Sequence, residues 1–209
     1  MLPKKSLTNR TMLIMLLLSI IGHYSYSQTY DFRKSSIKTA IGVGFNEGHK
    51  ETGIGILYSI GWQKSYGKKD KLRINPNMII GSFMPILITD TRDQLYRITT
   101  LGVNAHYDVI RYSPFSLVVT GGVFINYSRG LLGTGGWPEL NNNRSEYFRS
   151  IYTGVNTSMA LRINSSKSRF AFELRPINIH IGNHPFVLGY MMFGVDFKLQ
   201  KSKTNEDKE

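Results

Sequence analysis

Between Ile37 and Leu199 the chain alternates apolar and non-apolar residues in eight separate runs, and the non-apolar side of each is built largely from Gly, Ser, Thr, Asn and Ala rather than Lys and Glu. A period of two sends successive side chains to opposite faces of a strand. The exposed face of a soluble barrel or sandwich would be mostly charged, whereas a crowded lumen takes small polar residues. Gly42, Gly44, Gly53, Gly55, Ser59, Gly61, Ser116, Thr120, Gly122, Gly154, Asn156, Ser158 and Ala160 therefore read as inward. Their Ile, Val, Leu, Phe and Met neighbours then face lipid. The pattern predicts an all-β fold, an eight-stranded antiparallel transmembrane β-barrel over residues 28–200.

Lys4, Lys5 and Arg10 precede an uncharged stretch, Met12 to Gly22, that is too short to span a bilayer. With small residues Ser25 and Ser27 before Gln28, residues 1–27 read as an export signal peptide. The chain contains no cysteine, so it has no disulfide, no thiolate metal site and no acceptor for an N-terminal lipid. Three of its 26 basic residues lie before Gln28 and it has 14 acidic ones, which leaves the exported part at about +9. That excess suits anionic outer-membrane lipid and lipopolysaccharide phosphates. Nucleic acid is not the expected partner, because no helical basic stripe or stacking motif accompanies the charge.

No apolar run after Gly22 reaches the length of a spanning helix. A closed barrel is the other solution open to a membrane-spanning chain, since lipid offers no partner to an unpaired strand edge. The strands are predicted at Ile37–Asn46, Thr52–Lys64, Lys71–Phe83, Leu95–Val109, Phe115–Ser128, Ser150–Arg162, Arg169–Ile181 and Phe186–Gln200. Turns after the second, fourth and sixth are short, whereas Met84 to Gln94 and Arg129 to Tyr147 make long connections on the other side. Short periplasmic turns and long external loops are the asymmetry of outer-membrane barrels. In that orientation Trp62, Tyr107, Phe115, Phe170 and Phe197 gather at the periplasmic rim and Phe45 and Tyr127 at the external one, as amphipathic rings do at interfaces. Pro76 and Pro176 interrupt strands that should have no free edge, and each predicts a bulge or local break. After Pro176 the outward set shifts from Phe170, Phe172 and Leu174 to Ile177, Ile179 and Ile181, the effect of one extra residue.

The signal ending before Gln28, the eight patterned strands and a final strand Gly194-Val195-Asp196-Phe197-Lys198-Leu199 together resemble the small outer-membrane β-barrel proteins of the OmpA-type size class. The resemblance covers nearly all of the exported chain and implies an integral, porin-like cell-envelope protein of the outer membrane. It spans anchors, adhesins, narrow pores and a few lipid-modifying enzymes, so it leaves activity open. The chain departs from the usual ending in carrying a charged tail, residues 201–209, after its last aromatic strand.

Lys38, Arg73, Asp108, Arg162, Glu173 and Arg175, with Asp196 in addition, are the charges expected inside, where they must pair with one another or with water. His180-Ile181-Gly182-Asn183 is similar to the active-site string of outer-membrane lipid A deacylases, with His180 and Asn183 matching and Asp196 available as the acid. Gly182 stands where the nucleophilic hydroxyl belongs, and glycine cannot supply it. His49, His106, His180 and His184 lack metal-ligand spacing, so neither a metal nor another cofactor is expected. The Gly130 to Gly136 stretch lacks the ending of a phosphate loop. An aromatic among flexible polar residues is how contact surfaces are built, which makes Trp137, Arg144 and Tyr147 the candidates for an external partner.

The expected function is that of a non-catalytic membrane anchor or surface-interaction protein acting through its external loops, with Arg92, Arg97, Arg129 and Lys68 as basic rim residues for acidic headgroups. A deacylase-like hydrolase, a narrow pore and a soluble periplasmic carrier are the alternatives.

Overall fold

A computed structural model describes residues 32–49, 51–67, 70–84, 95–112, 114–133, 145–164 and 168–200. The strands are β1 (Phe32–Glu47), β2 (Thr52–Tyr66), β3 (Leu72–Met84), β4 (Leu95–Tyr112), β5 (Phe115–Gly133), β6 (Ser145–Asn164), β7 (Phe170–Gly182) and β8 (Phe186–Gln200). Each pairs antiparallel with its neighbours, and β1 pairs with β8, so the sheet closes on itself. Closure satisfies every strand edge within the ring.

The period of two survives along the walls. On β2 exposed Ile54, Ile56, Tyr58, Ile60 and Trp62 alternate with inward Gly53, Gly55, Leu57 and Ser59. Ile41, Val103, Val123, Val155 and Met191 are among the apolar residues that stand exposed on the outer face. The small inward residues let strands and lumen side chains approach. A Cβ on Gly122 would lie 2.2 Å from Asn104 Oδ1 and 2.5 Å from Asn156 Oδ1, inside the contact distance of any side chain.

The two prolines act differently. Pro176 sits at a one-residue shift in the register of β7 with both β6 and β8. Leu174 and Ile177 consequently both face outward, while Arg175 and Asn178 are buried. Pro76 shifts nothing: the β2–β3 register is the same on either side of it, from Gly61↔Asn77 to Lys64↔Ile74. Across that gap the Asn75 Nδ2 donates to the Trp62 carbonyl at 3.1 Å, replacing a ladder bond that proline cannot make. Register shifts between Phe32 and Ser36 on β1 and between Asp108 and Ile110 on β4 have no proline to announce them.

The walls are also longer than the alternation indicates. β5 continues to Gly133 and β6 begins at Ser145, so much of the polar stretch from Arg129 to Tyr147 is strand and only residues 134–144 connect it. Gly130 reads as a loop residue in sequence, yet its Cβ would fall 2.3 Å from Tyr96 Cβ and 2.4 Å from the Leu95 carbonyl oxygen. It is glycine because its cross-strand partner Tyr96 packs directly against it. The β7–β8 turn bends at His184 in the left-handed region, with φ 51°, consistent with a turn-shaping role for His184-Pro185.

Candidate functional site: the lumen and the open end

The lumen has two layers of different chemistry. Toward the end with the short turns, β1, β6, β7 and β8 converge on Glu173. Lys38 Nζ lies 2.7 Å from Glu173 Oε2, Arg175 Nε donates to Glu173 Oε1, and Arg162 bridges Glu173 at 3.7 Å and Asp196 at 2.7 Å. Beside it Arg73 pairs with Asp108 at 2.7 Å, and Arg111 reaches the same carboxylate from outside at 2.7 Å. Lys38, Arg73, Asp108, Arg162, Glu173, Arg175 and Asp196 are all buried. The structure thus gathers the predicted lumen charges into two paired groups. Arg111 is a member that the alternation does not place in the lumen, since the fourth strand is predicted to end at Val109. The irregularity at Val109 keeps Asp108 inward and lets Arg111 fold back onto it.

Above this lies a layer of asparagines, Asn104, Asn156 and Asn77 among them, hydrogen-bonded across strands. The half nearer the long connections is not the small polar lumen that the alternation predicts. Leu57, Ile79, Phe83, Tyr96, Ile98, Phe124, Phe148, Tyr152, Phe186, Leu188 and Met192 point inward and are buried. Phe83 stacks on Tyr96 at 5.2 Å and Tyr152 on Phe186 at 4.5 Å. The Phe83 ring fits here because Gly55 and Gly81 lie against it, where a Cβ would fall 2.8 Å and 2.7 Å from its ring atoms. Tyr152 Oη donates to Glu51 at 3.0 Å and accepts from the His49 amide at 3.2 Å, tying the β1–β2 connection over the plug. The signal was present as Leu57 between Gly55 and Ser59, and Phe124 between Gly122 and Asn126, on the small-residue face.

The hydrolase arrangement is not assembled. His180 is buried in the lumen, against Phe124 at 4.7 Å, with its Nε2 2.9 Å from Tyr190 Oη. Asn183 spends its side-chain oxygen on the Thr153 amide, on the outer side of the turn. Asp196 sits opposite Ala171 whereas His180 sits opposite Leu188, a separation of roughly 25–30 Å along the sheet at about 3.4 Å per residue. Acid, base and amide therefore face different neighbours, and the resemblance to the deacylase string is one of sequence alone. Among the described residues no three His, Asp or Glu group as a metal site would require.

Of the external contact candidates, Trp137 and Arg144 lie outside the described residues. Tyr147 is not in a loop. It stands exposed on the outer face of β6, opposite Leu131, with Arg149 5.3 Å from its ring. Residues 1–27 and 201–209, and Lys68 and Arg92, also lie outside the described residues.

A closed eight-stranded ring with an apolar outer wall, a packed lumen and long connections at one end is matched among solved structures. Neisserial surface protein A superposes with a TM-score of 0.57 at 14% identity, covering 81% of this chain and 99% of that one. The chain has the fold of the small outer-membrane β-barrels. Another barrel of this kind, Ail, the attachment invasion locus protein of Yersinia pestis, matches with a TM-score of 0.52 at 10% identity, over 79% of this chain and 97% of its own. The same protein in complex with the heparin analogue sucrose octasulfate matches equally. No family model matches the sequence, and no curated protein shows a significant sequence match. The barrel likeness is carried by geometry.

Proposed function

We infer that this chain is an integral outer-membrane protein without catalytic chemistry, an anchor that presents its external connections to partners outside the cell. The observation that carries the reading is the inversion of the molecule: a belt of apolar residues, Ile41, Ile56, Val103, Val123, Val155 and Met191 among them, stands exposed around the outer wall while Lys38, Arg73, Arg162, Arg175, Asp108, Glu173 and Asp196 are enclosed. Water would not support that arrangement, whereas acyl chains reward it. A soluble carrier would present charged and polar residues around the outer wall instead.

The packed lumen speaks for an anchor over a pore. Ion pairs fill one half and stacked rings the other, as is usual for eight strands. The surface role rests on the long connections, residues 85–94 and 134–144, which gather at one end. It also draws on the likeness to Ail, a protein described by its part in attachment and invasion. Trp137 and Arg144 within the longer connection, with Tyr147 at its base, are the proposed contacts.

Folding the full chain into phosphatidylcholine vesicles and adding protease from outside tests the reading. The expected result is a protected, heat-modifiable core with cleavage confined to the external connections. A chain that stays monodisperse in buffer without detergent, or is digested through its strands, overturns it.

A further inference from the structure

Three arginines stand directly opposite one another on the outer face. Arg97 of β4 pairs in register with Arg129 of β5, and Arg129 with Arg149 of β6. Ser82 of β3 continues the row beside Arg97. All three arginines are exposed, and none has an ion pair among the described residues. Among the described residues at this end, Glu47 on β1 is an exposed carboxylate on the outer face, four strands from Arg129 around the ring, and Glu146 on β6 is exposed but alternates to the opposite face from Arg149. Adjacent strands are about 4.8 Å apart, so three guanidinium groups fall within roughly 10 Å. Like charges directly across a ladder destabilise it. A row of this kind calls for an anion.

Its surroundings say where that anion comes from. Immediately toward the middle of the wall lies the row Ile80, Thr99, Tyr127 and Ile151, and immediately beyond the arginines lie Leu95, Leu131 and Tyr147, with exposed Met84 at the end of β3. The arginines are therefore a polar stripe set into an apolar wall rather than part of a charged surface. Tyr107, in the ring of aromatic residues at the opposite end, is about ten residues from Arg97 along β4. At about 3.4 Å per residue and a tilt near 40°, that is roughly 26 Å of height, against the roughly 25 Å of an outer-membrane barrel's apolar band. The stripe falls at headgroup level.

We propose that Arg97, Arg129 and Arg149 form a binding site for the phosphate of a phosphorylated glycolipid in the outer leaflet. Guanidinium groups grip phosphate oxygens through paired N–H donors. The acyl chains of the same lipid lie along Ile80, Tyr127 and Ile151, and the exposed ring of Tyr147, held beside Arg149, covers the face of a sugar. One lipid is thereby fixed to the β4–β6 side of the barrel, beneath the longer connection. This rests on the membrane reading above and adds to it the lipid class and the residues.

The test uses the full chain folded in phosphatidylcholine vesicles doped with lipid A, or with lipid A from which the phosphates have been removed. Lipid retained after detergent extraction is measured. Retention of the phosphorylated form should exceed that of the dephosphorylated one, and replacing all three arginines by Gln should weaken it by about a hundredfold, taking each cation at its usual worth near a membrane surface. The corresponding Lys variant should lose much less. Should the triple Gln variant not fold, Arg129→Gln carries the comparison, with a smaller loss expected. Equal retention of both lipids, or unaltered retention in the Gln variants, overturns the site. Displacement of lipid A by millimolar inorganic phosphate also overturns it, because the anion then comes from solution. Failure to insert into phosphatidylcholine alone overturns the membrane reading instead, which separates the two.

Discussion

Glu173 Oε2 lies 2.7 Å from Lys38 Nζ, an ion pair that crosses the lumen from β7 to β1 past the strand between them. Arg162 and Arg175 share the same carboxylate. One buried anion thus holds three cations, and its removal has a defined sign. Glu173→Gln leaves Lys38, Arg162 and Arg175 with Asp196 as the remaining nearby carboxylate. Loss of one partner of a buried pair costs about 3–5 kcal/mol. The urea midpoint of the vesicle-inserted protein should fall accordingly, and an unchanged midpoint would show that water already neutralises the cluster.

Phe186 is fully buried, stacked on Tyr152 and tilted against Phe124 at 5.8 Å. Phe186→Ala should cost about 3–5 kcal/mol through the cavity it opens. It should not make the barrel conduct, because the charged layer around Glu173 closes the other half. Planar-bilayer recording of the wild type, the variant and the Phe186→Ala, Glu173→Gln pair checks this. Channel events in the wild type would contradict the sealed lumen.

Val123 stands 59% exposed at mid-height on β5. In a membrane wall Val123→Arg should destabilise the protein by about 2–4 kcal/mol. On a wall facing water the same change would stay within about 0.5 kcal/mol. Equilibrium unfolding from vesicles distinguishes the two magnitudes.

At Pro76 the ladder depends on a side chain. Asn75→Ala removes the amide that donates to the part-buried Trp62 carbonyl and should cost about 1–3 kcal/mol, the range for leaving an acceptor unpaired away from water. Hydrogen exchange should rise locally on β2 and β3. Exchange that is unchanged there would mean that the carbonyl finds another donor.

Much of this molecule can be read along the chain because strand geometry is local. Ile54-Gly55-Ile56-Leu57-Tyr58-Ser59 already states which side each residue takes. The change of phase after Pro176 is visible because the apolar set moves from Phe172 and Leu174 to Ile177 and Ile179, and the register shifts with β6 and β8 fall there. The irregularity at Val109 left no such trace, since Val109 and Ile110 are both apolar and both face outward. Arg111 lies past the predicted end of the fourth strand at Val109, yet it completes the Asp108 pair.

The alternation and the small residues opposite the aliphatic ones were enough to set strand number, facing and closure, because a period of two and the need to pair every edge act on neighbouring residues. Which buried groups meet is another matter. Lys38 reaches Glu173, Tyr152 stacks on Phe186, and Arg97, Arg129 and Arg149 come abreast only when the register of eight strands is set around the ring. Contacts across a lumen join residues far apart in sequence, and no local pattern carries the stagger that brings them level.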